Sequence, residues 1–144
     1  MTPEENKQLL RTFSDEMHKG NLGAVRKLLS EDFVSHDLSR PEFAGDREAF
    51  LKEAERYVDA IRNAKGTVED IFAVGDKVVL RWTCAGTQVK DLPNIPSRGK
   101  NYRIAGITIA RVVQGKITEL WESCDVYGLM TQLGALPELA HAAR

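Results

Sequence analysis

The sequence lacks most of the features that would narrow its function at a glance. It has no charge excess: 20 basic against 21 acidic side chains leave a net charge of -1, and without a basic surplus nothing favours nucleic acid. It is short of cysteine, with only Cys84 and Cys124, both in apolar, strand-like stretches and without metal-ligand spacing. They read as reduced core residues. The three histidines, His18, His36 and His141, do not fall near cysteine or carboxylate at a zinc-like spacing, so no metal is expected. No apolar run approaches the roughly 20 residues needed to cross a bilayer. The opening Met1-Thr2-Pro3-Glu4-Glu5-Asn6-Lys7 is acidic and polar where a secretory leader would be basic and then apolar. The expectation is a cytoplasmic protein that engages neither membrane nor nucleic acid.

What is present is an ordinary globular composition, 42% hydrophobic and 28% charged over 144 residues. That length buries one hydrophobic core without metal or disulfide support. We expect one domain over residues 1–137 and an alanine-rich tail over 138–144.

Thr2, Pro3 and Glu5 form a capping-box pattern, and Leu9, Leu10, Phe13 and Met17 follow on one helical face. A first helix is expected from about Pro3 to Lys19, ended by Gly20. Asn21 caps a shorter helix with Leu22, Val25, Leu28 and Leu29 as its buried stripe. After an extended piece, Asp32 to His36, and a loop through Pro41, Phe43 and Gly45, Asp46 caps a third helix. Its apolar side carries Phe50, Ala54, Tyr57, Val58 and Ile61, and its expected end is near Asn63.

From Lys65 onward the pattern alternates, with turn residues at Gly75-Asp76 and Gln114-Gly115. Four strands are expected, at about 67–74, 77–87, 102–113 and 116–126. Pro93 and Pro96 keep the loop Asp91 to Gly99 out of any central strand. A last helical turn covers Tyr127 to Leu133. Helices first and an antiparallel meander after make an α+β fold, with a curved sheet wrapped around helices and a pocket between them.

The stretch Ile107-Thr108-Ile109-Ala110-Arg111, then Gly115-Lys116-Ile117, Glu119, Trp121, Asp125 and Gln132-Leu133-Gly134 with Pro137, resembles the C-terminal signature of the SnoaL-like polyketide cyclases. Gly86-Thr87 and Pro96-x-x-Gly99-Lys100 are similar to upstream elements of that family, and His36 falls where its first strand often carries histidine. The resemblance covers nearly the whole chain. It implies the cone-shaped α+β barrel shared with nuclear transport factor 2, and catalysis without a cofactor. It also implies a homodimer built on the outer sheet face, for which Val79, Val112 and Ile109 are candidates. Two departures stand out: Gln88 replaces a frequent histidine after Gly-Thr, and Arg98 replaces a threonine before Gly99.

Side chains alternate with period two along the last strand, so Ile117, Glu119, Trp121, Ser123 and Asp125 share one face, and if Gln114-Gly115 is a two-residue turn Asp125 lies opposite Ile104, on a face continued by Gly106 and Thr108. In the family that Asp125 resembles, the matching aspartate takes an acidic proton from carbon, and the enolate closes a ring by aldol addition. Asp125 is thus the first candidate general acid/base, with a helix cap at Tyr127 as the alternative role. His36 is the second, as donor or relay, or else a rim histidine bonded to Asp32 or Asp37. Trp121, Tyr57, Gln88, Glu119 and Tyr127 are candidate substrate contacts, each equally explicable as core or rim. Arg111 with Glu122, and Asp70 with Arg81, are expected structural pairs.

The leading expectation is a cofactor-independent cyclase or isomerase acting on a small hydrophobic or aromatic, carbonyl-bearing, polyketide-like ligand. An epoxide hydrolase or ether-forming cyclase would need two carboxylates converging on one pocket. A binding or dimerising module without turnover is the third reading.

Overall fold

The computed structural model describes residues 1–137; the expected tail and His141 lie outside the described residues. The first helix, α1, runs Pro3–Lys19 as expected. The Thr2 hydroxyl accepts the Glu5 amide at 3.1 Å while the Glu5 carboxylate accepts the Thr2 amide at 2.9 Å, so two otherwise unpaired amides are satisfied at once. Gly20 ends the helix at φ 76. Helix α2 (Leu22–Leu28) passes directly into strand β1 (Leu29–Asp37). After a short 3-10 turn at Pro41–Phe43 come a two-residue strand β2 (Gly45–Asp46) and helix α3 (Arg47–Ala60), capped by Asp46.

Strand β3 (Ile61–Val74) leaves α3 without a linker and begins well before the expected Thr67. Its early part slips register between Arg62 and Lys65, where Asn63 sits at φ 57. A slipped strand loses its period-two signature, which is why the sequence pattern hides it. Strands β4 (Lys77–Gln88), β5 (Asn101–Val113) and β6 (Lys116–Cys124) form the expected meander, followed by α4 (Val126–Gln132).

The six strands make one sheet in the order β2-β1-β6-β5-β4-β3. All neighbours are antiparallel except β1 and β6, which pair in parallel. The inner face holds two apolar clusters. One joins α1, α2, α3 and the sheet through Leu10, Val25, Leu51, Phe33, Val78, Ala110 and Leu120. The other gathers Ala60, Ile104, Leu129 and Leu133 with Leu92 and Ile95 of the loop after β4. The cavity lies between them. Val112 belongs to the first cluster at 5% exposure, so it cannot serve the outer face. Val79 and Ile109 do face outward, in register with Phe72 and Trp121.

Candidate functional site

Which side chains reach the interior is decided by one irregularity between β5 and β6. Gln114 and Gly115 make the expected two-residue turn, at φ 49 and 76, and Val113 pairs with Lys116 and Val112 with Ile117. The next pair is Arg111 with Glu119, so Thr118 is an extra residue on β6. A bulge of this kind exchanges the two faces for the rest of the strand. Leu120, Glu122 and Cys124 therefore follow Ile117 on the inner face, while Glu119, Trp121, Ser123 and Asp125 turn outward. Ile117 and Leu120, both fully apolar and three apart in one strand, are the sequence signal of that slip.

The interior cavity measures about 440 Å³, within the ~300–1,000 Å³ usual for small-ligand sites. Its walls are largely apolar, from Phe13, Met17, Phe50, Leu80, Ile104 and Leu129, and Glu122 shares them with the ionisable side chains of His18, Lys19, Asp37 and Arg40. Glu122 is half-buried, and the surface it keeps is cavity wall. Its Oε1 accepts the Thr108 hydroxyl at 3.2 Å, and the Thr108 oxygen accepts the Trp82 indole N–H at 2.9 Å. Because the indole nitrogen only donates, the threonine proton is committed to the carboxyl. A Cβ at position 106 would overlap the Trp82 ring, so glycine there lets the indole lie flat and reach Thr108.

Burial pushes the Glu122 carboxyl above the usual carboxylate range, the nearby Asp37 charge adds to this, and Thr108 and Arg40 oppose it. This is the pattern expected of a proton-transferring group. The two thiols on the same wall are disarmed by burial, Cys84 pushed up to about 12 and Cys124 to about 11. Neither is a nucleophile at neutral pH.

Asp37, at the end of β1, accepts the amides of Ser39 and Arg40 at 3.0 Å on one oxygen and Arg40 Nε at 3.2 Å on the other. Arg40 Nη1 then donates to the Tyr57 hydroxyl oxygen at 2.7 Å. Asp37, Arg40, Tyr57 and Glu122 all line the main cavity and an adjoining chamber of about 110 Å³.

The expected site residues are dispersed. Tyr57 lines the cavity. Asp125 is exposed and caps α4, its Oδ1 accepting the Gly128 amide at 2.8 Å, and its backbone pairs with Ala105 rather than Ile104. It does not line the cavity; the bulge at Thr118 accounts for this. His36 stacks on Trp121 with ring centroids 5.5 Å apart and its Nε2–H donates to Glu119 at 2.7 Å, not to Asp32 or Asp37. His36 borders the small chamber, but Trp121 and Glu119 lie on the outer face. Arg111 pairs there with Asp76 at 2.7 Å and Glu119 at 3.6 Å, not with Glu122. Asp70 and Arg81 are opposite one another in register as expected, but they are not among the ion pairs found in the described residues. Gln88 is fully buried and donates to the Ile95 carbonyl at 2.7 Å, tying down the loop. Tyr127 is 48% exposed outside the cavity. Glu122, Arg40, Asp37, Thr108 and Trp82 were not foreseen as site residues. Among the described residues no helix is long and apolar enough to cross a membrane.

A curved sheet wrapped over helices around a largely apolar cavity defines the cone-shaped α+β class of nuclear transport factor 2. Within it, the chain belongs to the SnoaL-like polyketide cyclase family, which it matches over residues 7–133. It superposes on AclR from Streptomyces galilaeus, a proposed hydroxylase, with a TM-score of 0.87 and 23% identity over 97% of this chain and 87% of that one. TsrD from Streptomyces laurentii is similar at TM-score 0.83 and 25% identity, covering 94% and 99%. IdmH, a proposed polyketide cyclase from Streptomyces antibioticus, gives 0.78 and 25%, covering 90% and 98%. No curated protein matches the sequence.

Proposed function

We propose that the protein is a cofactor-independent cyclase or isomerase of small, carbonyl-bearing, polyketide-like molecules, with Glu122 as its general acid/base. The observation that carries this is a desolvated carboxyl on the wall of an apolar cavity, fixed through Thr108 and Trp82. Burial brings the carboxyl's proton affinity closer to that of an acidified C–H, which makes it a stronger base than in water. The Glu122 carboxylate takes a proton from the carbon beside a carbonyl, and the C–H electrons move onto the carbonyl oxygen as an enolate. The enolate carbon bonds to a second carbonyl carbon of the same molecule. The new alkoxide recovers the proton from Glu122, so atoms and charge balance without a co-reactant.

Exchange of the α-protons of 2-tetralone for deuterium, followed by NMR, tests the proton-transfer half alone. Wild type accelerates exchange, Glu122→Asp retains part of it, and Glu122→Gln falls by roughly 10²–10⁴-fold. Unchanged exchange in Glu122→Gln overturns the reading.

Two carboxylates, Asp37 and Glu122, do converge on one cavity, and this favours epoxide opening as a second reading. It ranks lower because both oxygens of Asp37 already accept hydrogen bonds from Ser39 and Arg40, which ties the carboxylate to its own loop instead of to a water or substrate. For the homodimer, the outward row Phe72, Val79, Ile109 and Trp121 across four strands supports pairing of two copies through that face. Sedimentation of an Ile109→Glu variant as monomer, against a wild-type dimer, tests it; a monomeric wild type overturns it.

A further inference from the structure

The small chamber beside Glu122 contains a hydrogen-bond arrangement that the proton transfer leaves unused. Arg40 is clamped from several sides: its guanidinium carbon lies 4.7 Å from the Phe43 ring centroid and 5.6 Å from that of Tyr57. Nε and Nη2 are held by Asp37, each at 3.2 Å. Nη1 donates to the Tyr57 oxygen at 2.7 Å. A phenol has one proton to give, and with a cationic donor on its oxygen that proton must point elsewhere. Among the described residues no group accepts it, and Tyr57 forms wall of both chambers.

The geometry points to the Tyr57 hydroxyl, backed by Arg40, as an oxyanion subsite that receives the carbonyl oxygen of a planar ketone and holds the enolate it becomes. This rests on Glu122 being the base. The substrate's oxygen enters the small chamber while its apolar body fills the main cavity. Burial holds the phenol above its ordinary ionisation range despite Arg40, so Tyr57 stays a donor at working pH. The N–H to oxygen bond from a cation strengthens the phenol's own O–H as a donor through polarisation. A fixed donor in a low-dielectric site stabilises developing negative charge without reorganisation. Tyr57 touches the substrate and is catalytic in this scheme. Arg40 acts through it and is a positioning residue.

The probe is 4-nitrophenol, whose planar ring and oxyanion mimic an aryl enolate and whose ionised form is read by visible absorption. Wild type binds it with a larger ionised fraction than in free solution at the same pH. Tyr57→Phe keeps the ring and loses that excess, with affinity for the phenolate down by about tenfold or more. Arg40→Lys weakens phenolate binding in the Tyr57 background and changes nothing in the Tyr57→Phe background, an effect a purely structural arginine would not show. A measurement on wild type alone guards against a variant that fails to fold: across phenolates of rising basicity, affinity rises. No binding to wild type, a flat series, or equal phenolate binding by folded Tyr57→Phe overturns the subsite. Glu122→Gln separates the two ideas, since it cuts α-proton exchange by roughly 10²–10⁴-fold yet keeps phenolate binding. If instead Glu122→Gln exchanges normally, the base assignment fails even where the phenolate still binds at Tyr57.

Discussion

The Thr108 hydroxyl donates to Oε1 of Glu122 at 3.2 Å, and this bond decides where a proton on Glu122 can sit. With Oε1 accepting, the acidic proton is left to Oε2. The threonine also opposes the upward displacement that burial imposes on the carboxyl. Thr108→Val removes that opposition, so the carboxyl titrates at still higher pH. The pH at which α-proton exchange reaches half its maximum is expected to rise with it. The Trp82 N–H loses its acceptor as well, a cost of about 1–3 kcal/mol in stability, read by urea denaturation.

Asp125 and Gly128 form a second, separable pair. A Cβ at position 128 would collide with the Asp125 carboxylate, so the glycine makes room for the cap. Asp125→Ala is expected to cost about 0.5–2 kcal/mol while leaving tetralone exchange intact, and Asp125→Asn, also a good cap, to leave both intact. Denaturant melts and the exchange assay on the same samples check this.

Stability should respond to the Glu122 charge with a definite sign. Burial raises its folded-state ionisation above the unfolded value of about 4.3, so the folded protein binds more protons between the two values. Its contribution is then most favourable below the unfolded value and is lost as pH rises through the folded one. Glu122→Gln should therefore melt higher than wild type at neutral and alkaline pH, on the order of a few degrees. The difference should vanish below about pH 4. Thermal melts across pH measure it.

Gly106→Ala pushes a methyl group into the Trp82 ring. It is expected to destabilise by about 1–3 kcal/mol and to weaken exchange, because the indole no longer reaches Thr108. Indole fluorescence with the exchange assay reads both effects.

Local signals in the chain were legible where they stand alone. The Thr2-Pro3-Glu5 box and Gly20 bound α1 to the residue, and the spacing of Phe50, Ala54 and Tyr57 put Tyr57 on the inward side of α3. Long-range register was not legible. A single extra residue at Thr118 moved Asp125 out of the interior and Glu122 into it, and alternation cannot show a bulge without its partner strand. Asp37 and Arg40 carry no sequence signal for a different reason. Their arrangement depends on side-chain bonds to the backbone just after β1 and on Tyr57, 17 positions away in another element. Spacing alone carries no trace of such contacts.

The most direct test of the central claim is the titration of the Glu122 carboxyl by carbon NMR, set beside the pH dependence of α-proton exchange in the same wild-type protein. One midpoint is expected for both, displaced above the ordinary value of about 4.3, with the exchange step absent from Glu122→Gln. A carboxyl that titrates at or below that value, or an exchange profile that ignores its titration, would contradict Glu122 as the base.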